Sequence, residues 1–479
     1  MGLVAPIGLL VLLVPLCNPR IAVGLLVGLA ILLEGSTPNV LHVTLDSFHD
    51  PLPGHYSVLE LVMVLAICSV VVDASRRGRV PLRPAPFGPA IALLALAILS
   101  GVIVGHAAGE GFNGITEQAR PIFPLIVVPW LVVNCIRDAA ELRRAIGLIA
   151  ILTAVKAVLG LIGVVTHEGA GGDGTTLTYY EPTANWLAMT YILTILASTA
   201  GRWPVDRIAR WAAPVVLLCL AFSLRRSFWI GIAAAAPVTL LVAIAPRGRR
   251  FLLPVAIVLT AGIWIAVTSG IGFDSQTPIG QRIQSLSPSS LTANTQDRYR
   301  LDERKNVLAE LRASPIVGLG LGVPWQERYP LSFEDPGART YTHIAVLWFW
   351  LKLGVIGMLS YIGYLLTAFV VGIQVSRRHR DARVRAAGAG VAGGLIGLAV
   401  AETTATWLGT DLRMTVLIGC VVGLLSVARN QTRVRVASED CARDPDKPRV
   451  RNQRRLRHPA RRHAVQGAAD LEYATHSEV

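Results

Sequence analysis

Residues 344–373 read IAVLWFWLKLGVIGMLSYIGYLLTAFVVGI, and this stretch decides the class of fold. An α-helix needs roughly 20 apolar residues to cross the hydrocarbon core of a bilayer, and this run exceeds that length. Further apolar runs lie near 3–17, 21–34, 57–73, 87–105, 120–135, 144–165, 183–200, 211–224, 228–245, 251–269, 386–406 and 412–428. Continuous runs favour helices over a β-barrel, whose strands alternate apolar and polar residues. The sequence therefore predicts an all-α, polytopic membrane helical bundle of about 12–13 transmembrane helices.

The composition agrees with a membrane protein, since 53% of the residues are hydrophobic and only 16% are charged. The formal net charge is +14, but the cations lie mostly in short connections between apolar runs and in the C-terminal tail. That distribution is typical of the positive-inside bias and argues against a nucleic-acid partner. The six cysteines show no spacing typical of a disulfide framework or a zinc site, so we expect no metal and no cofactor.

The basic connections predict the orientation. Clusters of Arg and Lys occur on alternate connections, and we assign their side to the cytoplasm. These clusters lie at 76–79, 137–144, 202–210, 247–250 and 377–385. The chain then divides into transmembrane helices with short connections (1–269), a large, partly helical extracytoplasmic loop (270–343), C-terminal transmembrane helices (344–428) and a basic, disordered cytoplasmic tail (429–479). We expect such a protein in the inner, cytoplasmic membrane, in contact with membrane lipids and with its active site facing outside the cytoplasm.

The large loop is rich in arginine although it is predicted to face outward, and we interpret this exception to the positive-inside bias as functional. Residues 300–312 predict an amphipathic helix that lies on the membrane surface. Glu303 is expected to pair with Arg300 or Arg304 on that helix. The three glycines of segment 315–322 indicate close backbone packing or a tight turn, rather than a nucleotide-binding loop.

Basic side chains on the outer face are suited to bind an anion. Arg225 and Arg226 interrupt an apolar stretch at a turn that the order of spans places on the same side as the loop. Arginine is always charged and holds two phosphate oxygens at once, so it suits a diphosphate. His343 opens the span after the loop, and a neutral imidazole can take a proton from an attacking hydroxyl. The candidate residues for binding the diphosphate of a donor substrate are Arg225, Arg226, Arg298, Arg300, Arg304, Arg282 and Arg120. The candidate catalytic residue is His343.

Three patterns around this loop resemble motifs of the O-antigen ligase and polymerase superfamily, and together they span roughly 205–375. The first is Arg-x-x-Trp after a Ser-containing turn, in residues 226–229. The second is an Arg-containing helix that leads to Pro-x-x-Gly-x-Gly, in residues 300–320. The third is Thr-His at the start of a span followed by Gly-x-x-Gly, in residues 342–357.

The resemblance implies a membrane glycosyltransferase that acts without metal or nucleotide. It would transfer a glycan from a polyprenyl-diphosphate carrier to a hydroxyl-bearing lipid or glycan acceptor on the outer face, with His343 as the base and arginines as the diphosphate clamp. The family usually has Asn after this histidine and often has Trp four residues after the loop arginine, where this chain has Ile344 and Arg304. Arg298, Arg300 and Arg304 all stay open as the loop arginine.

Three alternatives compete with this interpretation. A polysaccharide repeat-unit polymerase of the same superfamily shares these patterns and differs in its acceptor. A glycosyltransferase that uses polyprenyl-monophosphate sugars would carry an acidic motif in its first outer loop, where this chain has Asp46 and Asp50. A flippase or exporter of lipid-linked sugars would use the arginines without needing His343, and it would often show an internal repeat.

Overall fold

The computed structural model describes residues 18–33, 57–78, 80, 87–165, 181–244, 295–331 and 338–443. The predictions for spans 3–17 and 251–269, for Arg282, for the acidic motif at 45–50 and for most of the tail lie outside these residues. The chain divides into two units, Met1–Thr432 and Arg433–Val479, and the side-chain contacts described below belong to the first.

Every regular element in the described residues is helical, and no strand occurs among them. The α-helices are α1 (Pro19–Leu32), α2 (Val58–Arg76), α3 (Gly88–Ala107), α4 (Phe112–Ala119), α5 (Pro124–Cys135), α6 (Ala139–Val165), α7 (Pro182–Ala200), α8 (Arg207–Phe222), α9 (Arg226–Ala243), α10 (Thr295–Ala313), α11 (Ala345–Arg378), α12 (Ala382–Ala401), α13 (Trp407–Thr410) and α14 (Leu412–Arg443). A short 3₁₀-helix, Ala338–Thr340, precedes α11.

The helices confirm an all-α, polytopic membrane protein. In the described part of the chain, seven helices are long and apolar enough to cross a membrane: α2, α3, α6, α9, α11, α12 and α14. The bent pair α4–α5 makes an eighth if it counts as one span. Helices α1, α7 and α8 coincide with three more of the apolar runs. The total of about 12–13 spans stays a prediction, because two of the runs fall outside the described residues.

The span predicted at 120–135 differs from the structure at its start. Its helix begins at Pro124, and a separate short helix, α4, occupies the preceding connection. The axes of α4 and α5 meet at a bend of 48°. Pro121 and Pro124 lie at this bend, and proline breaks a helix because it lacks an N–H and its ring clashes with the preceding turn. Arg120 therefore lies at a break between two helices.

Small residues allow close packing of α12 against its neighbours. It contacts α7, α9 and α11. A Cβ on Gly394 would overlap the hydroxyl of Thr190 in α7, and a Cβ on Gly393 would overlap that of Thr239 in α9. Membrane helices approach one another most closely where both present small residues, so these glycines hold α7 and α9 against α12.

The glycine-rich segment 315–322 packs between two membrane helices, which confirms the close backbone packing predicted for it. The N–H of Leu319 donates to the carbonyl of Leu351 in α11 (2.7 Å), and the N–H of Leu321 donates to the carbonyl of Gly101 in α3 (3.0 Å). Gly320 has a φ of 91°, and a Cβ there would overlap the backbone of α3. These contacts fix the loop to the membrane helices on both sides.

Helix α11 is kinked where it receives this segment. Gly354 has a φ of 69°, outside the helical region, so the two halves of α11 do not form one regular helix. The next residue, Val355, donates its N–H to the carbonyl of Ile316 (2.9 Å). The kink frees backbone groups of the helix, and the loop segment satisfies them.

Ion pairs gather the basic connections at one end of the bundle. The pairs are Arg137–Asp73, Arg143–Asp381 and Arg383–Asp206, with N–O distances of 2.8, 2.9 and 2.9 Å. They join the described connections that carry the predicted cytoplasmic arginine clusters. The start of α2, the α4–α5 bend and residues 338–343 are joined by contacts of their own, described below.

Candidate functional site

The centre of the candidate site is a contact between His343 and Glu303. The Nδ1 atom of His343 lies 3.1 Å from Oε2 and 3.2 Å from Oε1 of the carboxylate. The backbone N–H of His343 also donates to Oε2 (2.9 Å), and the Thr342 hydroxyl donates to the same oxygen (3.3 Å). A carboxylate beside Nδ1 favours the tautomer with its proton on that nitrogen, which leaves Nε2 as the acceptor.

Helix α10 carries Glu303 and is held by its apolar face. Val307 and Leu311 on this face form a buried cluster with Trp325 and Leu351. The apolar stripe that the sequence placed against the membrane surface therefore contacts protein. Because Leu351 belongs to α11, the cluster fixes α10 beside the span that follows His343.

Two tyrosine rings lie beside the imidazole. The ring of Tyr341 makes an edge contact with His343 at 4.9 Å between centroids, and that of Tyr299 does so at 6.0 Å. The Tyr341 hydroxyl accepts a hydrogen bond from the N–H of Thr406 (2.9 Å). Burial raises the pKa of Tyr341 to about 12, so this hydroxyl stays protonated at neutral pH.

Arg226 and Arg300 both contact Asp297, near the N-terminal end of α10. Nη2 of Arg226 contacts both carboxylate oxygens of Asp297, at 3.0 and 3.2 Å, and Nη1 of Arg300 lies 3.5 Å from the same carboxylate. Asp297 is 7% exposed. Asp297 and Glu303 are six positions apart on α10, which corresponds to about 9 Å along a helix axis. Arg226 and His343 therefore contact nearby turns of α10, and Arg300 lies on the helix between these two contacts.

The turn between α8 and α9 brings Arg226 to this place. Leu224 adopts a φ of 51°, and the Ser223 hydroxyl donates to the carbonyl of Leu220 (2.8 Å). Helix α8 ends at Phe222, and α9 begins at Arg226. Phe228 stacks on Trp407 with ring centroids 5.1 Å apart. The N-terminus of α9 also carries partial positive charge, which favours anions.

The other loop arginines differ from Arg300 in position. Arg298 and Arg304 have exposed side chains, although they lie on the same helix. Arg225 caps the start of α9 and is partly buried. Arg282 lies outside the described residues. The structure thus brings Arg226 and Arg300 together and leaves Arg298 and Arg304 on the outer surface of α10.

Arg120 belongs to a different part of the site region. Its Nε donates to Oε1 of Glu60 (2.6 Å), and its Nη2 contacts the other carboxylate oxygen. Both residues line a cavity of about 1040 Å³, whose wall also includes Tyr341. Arg226, Asp297 and Arg300 do not line that cavity. Arg120 therefore does not join Arg226 and Arg300 at Asp297.

Sequence reasoning missed two residues, Asp297 and Glu303, as parts of the site. The expected pairing of Glu303 with Arg300 or Arg304 is wrong, since its buried carboxylate contacts His343 instead. The signal that was available is the spacing of Asp297, Arg300 and Glu303, which lie three residues apart and so near one face of a helix. The sequence around Glu303 does not predict its contact with His343, because the two residues are 40 positions apart.

Within the described ranges, no three side chains of His, Cys, Asp or Glu come close enough to hold a metal ion together.

One known family matches the segment that contains these residues. Residues 211–362 match the family model described as O-antigen ligase. The matched segment contains the α8–α9 turn with Arg226, helix α10 and His343. No curated protein shows significant similarity to the chain. The match supports membership of this chain in the O-antigen ligase and polymerase superfamily of polytopic membrane enzymes.

Proposed function

We propose that this protein transfers a glycan from a polyprenyl-diphosphate carrier to an acceptor hydroxyl outside the cytoplasm. The family match implies a membrane glycan ligase or polymerase. One arrangement supports the finer proposal: Glu303 contacts the imidazole of His343, while Asp297 of the same helix contacts Arg226 and Arg300. A base and an anion clamp that both contact α10 suit the transfer of a sugar from a diphosphate.

His343 is the proposed general base. Glu303 accepts the hydrogen bond from Nδ1–H, so Nε2 is the nitrogen that takes the proton of the acceptor hydroxyl. The same carboxylate then stabilises the imidazolium that forms, as a carboxylate does in a hydrolase triad. Its bonds to the backbone N–H of His343 and to Thr342 keep the carboxylate in place.

Arg226 and Arg300 are the proposed donor clamp. Each guanidinium has five N–H donors, and Nη2 of Arg226 contacts both carboxylate oxygens of Asp297. Asp297 aligns the two cations, which otherwise repel each other. Positive groups that are already in position stabilise the charge that develops on a leaving diphosphate. In this proposal the guanidiniums neutralise the charge of the diphosphate, as a metal ion does in other phosphate sites.

The proposed reaction is a single displacement with inversion at the anomeric carbon. The acceptor oxygen forms a bond to the anomeric carbon while the bond from that carbon to the diphosphate oxygen breaks. The acceptor proton moves to Nε2 of His343, and the polyprenyl diphosphate leaves with the bonding electron pair. Ligation and polymerisation share these steps and differ in the acceptor.

The test uses purified full-length protein in lipid vesicles with a labelled lipid-linked oligosaccharide and membranes that contain the acceptor. We expect new glycosidic product from the wild type, and a loss of about 10²–10⁴-fold in rate for His343→Ala. Arg226→Ala should raise the donor KM. Arg312→Ala, an exposed change on the last turn of α10, is the matched control.

Two results would contradict the proposal. One is near wild-type transfer by both the His343→Ala and Arg226→Ala proteins. The other is movement of lipid-linked sugar across the vesicle with no new glycosidic bond, which would favour a flippase. The length of the products separates ligation, which adds one glycan, from polymerisation, which adds repeat units.

A further inference from the structure

A large polar cavity lies beside the proposed base without containing the proposed donor clamp. Its volume is about 1040 Å³, at the upper limit of ordinary small-molecule pockets. Tyr341 lines it and also makes the edge contact with the imidazole of His343. The side chain of Tyr341 therefore connects the cavity wall to the imidazole of His343.

Several chain segments form its wall, and they are tied together. The N-terminal end of α2, helix α4, the 3₁₀-helix and the start of α14 all contribute. Gln118 of α4 donates to the carbonyl of Thr340 (3.2 Å) and accepts from the N–H of Gly322 (2.8 Å). These bonds connect α4 to the loop that carries His343, so the cavity and the base keep a fixed relation.

The side chains of the wall suit carbohydrate hydroxyls. Asn113 and Glu117 lie one turn apart on α4, and Glu110 precedes that helix. A carboxylate accepts hydrogen bonds from sugar hydroxyls, and an amide both accepts and donates them. Tyr341, which is partly exposed, adds aromatic surface for the apolar face of a sugar ring.

The charges of the wall are unfavourable for an anion. Four carboxylates and two guanidiniums line the cavity, namely Glu60, Glu110, Glu117, Asp411, Arg120 and Arg413. Each of these guanidiniums pairs with its own carboxylate of the wall, whereas Arg226 and Arg300 share the single carboxylate of Asp297. Arg120 is held by Glu60, and Arg413 is held by Asp411 (3.2 Å) and by Glu181. A phosphate or carboxylate group would therefore meet a surplus of negative charge.

We propose that this cavity is the acceptor subsite and that it takes a glycan end without phosphate or carboxylate groups. The attacking hydroxyl extends past Tyr341 to Nε2 of His343, and the donor diphosphate is held separately by Arg226 and Arg300. This inference rests on the proposed function, and it adds the chemical class of the acceptor.

The first test fills the cavity. Asn113→Trp places a large side chain in it, and Ala108→Trp, at an exposed position outside its wall, is the matched control. Binding of labelled lipid-linked oligosaccharide and transfer to acceptor membranes are measured on the full-length protein. We expect Asn113→Trp to keep donor binding within about 2-fold and to lose at least about 10-fold in transfer, while the control keeps both.

The second test determines whether the acceptor glycan is uncharged or anionic. Glu117→Gln and Glu117→Lys are compared by the KM for acceptor membranes. For an uncharged glycan, Glu117→Gln should raise KM by about 3–10-fold, because a charge-assisted hydrogen bond becomes a neutral one. Glu117→Lys removes the acceptor oxygens and should raise KM at least as much.

Three outcomes would overturn the inference. Loss of donor binding in Asn113→Trp would assign the cavity to the donor. Unchanged transfer in that variant would show that no glycan uses the cavity. A lower acceptor KM in Glu117→Lys would show an anionic acceptor. Failure of the proposed function itself differs from all three, because the wild type would then form no glycosidic product.

Discussion

At the scale of single residues, the site depends on the one carboxylate that orients His343. Glu303 is 1% exposed and contacts the imidazole, the backbone N–H of the same residue and Thr342. An amide at this position still accepts a hydrogen bond from Nδ1–H but cannot stabilise the imidazolium. In the proposed mechanism Glu303 therefore acts through His343, as a positioning residue.

Replacement of Glu303 should lower kcat without changing donor binding. We expect a loss of about 10-fold for Glu303→Gln and of about 100-fold or more for Glu303→Ala, since orientation and charge are then lost together. Single-turnover rates and the donor KM are the measurements. A merely structural role would instead lower the amount of folded protein, with kcat per folded molecule unchanged.

The three loop arginines should separate in donor binding. Arg300 shares Asp297 with Arg226, whereas Arg298 and Arg304 are exposed. We expect Arg300→Ala to raise the donor KM by roughly 10-fold or more, in line with the loss of a charge-assisted hydrogen bond. Arg298→Ala and Arg304→Ala should stay within about 2-fold. A larger effect in Arg304→Ala would transfer the role to that residue.

At the scale of elements, the glycine-rich segment joins the loop to α3 and α11. Gly109 has a φ of 88° but no atom near its missing Cβ, whereas Gly320 combines a φ of 91° with the backbone of α3 at that position. Gly109→Ala should therefore cost only backbone strain, roughly 1–3 kcal/mol. Gly320→Ala should cost more and should also displace the loop. The melting temperatures of the two variants in detergent should fall in this order, and a larger fall for Gly109→Ala would contradict the packing.

The turn between α12 and α13 should respond to pH through Glu402. Its side chain accepts from the N–H groups of Trp407 (3.0 Å) and Leu408 (3.1 Å). Burial raises the pKa of Glu402 to about 8, from an ordinary value of 4.5. Because the folded state favours the protonated form, its stabilising contribution is complete below about pH 4.5 and is lost as the pH rises through about 8.

Glu402→Gln should remove this pH dependence, since the amide oxygen still accepts both hydrogen bonds and carries no charge. We expect the melting temperature of the wild type to fall more than that of Glu402→Gln between about pH 5 and pH 9. Parallel curves for the two proteins would show that the carboxyl does not titrate in this range.

At the scale of the whole molecule, the two ends of the bundle carry different charged groups. One end collects the predicted cytoplasmic arginines in ion pairs with Asp73, Asp206 and Asp381. The candidate site lies where α2 begins, where α4 meets α5 and where α11 begins. Since the positive-inside bias assigns the first end to the cytoplasm, the site end should face outward.

Cysteine labelling checks this orientation. In a background without native cysteines, Arg312→Cys should react with a membrane-impermeant maleimide in intact cells, and Arg378→Cys should react only after permeabilisation. Both side chains are exposed in the structure, so accessibility within the protein does not distinguish them. The reverse pattern would place the site in the cytoplasm and exclude a donor presented on the outer face.

The sequence was sufficient for properties that depend on local composition. The length of each apolar run predicts a span, because hydrocarbon thickness sets the number of residues required. The glycines of segment 315–322 predict close packing, because only glycine tolerates such conformations and contacts. The resemblance supplied His343 and the arginine clamp, and the turn at Arg226 followed from charges that interrupt an apolar run.

Only the tertiary structure decided which charged groups meet. Arg226 and Asp297 are 71 positions apart, and His343 and Glu303 are 40 apart. Local spacing suggested Arg300 or Arg304 as the partner of Glu303, but packing of α10 against α11 buries that carboxylate and places it at the imidazole. A buried charge requires a partner, and the packing of distant helices determines which partner is within reach.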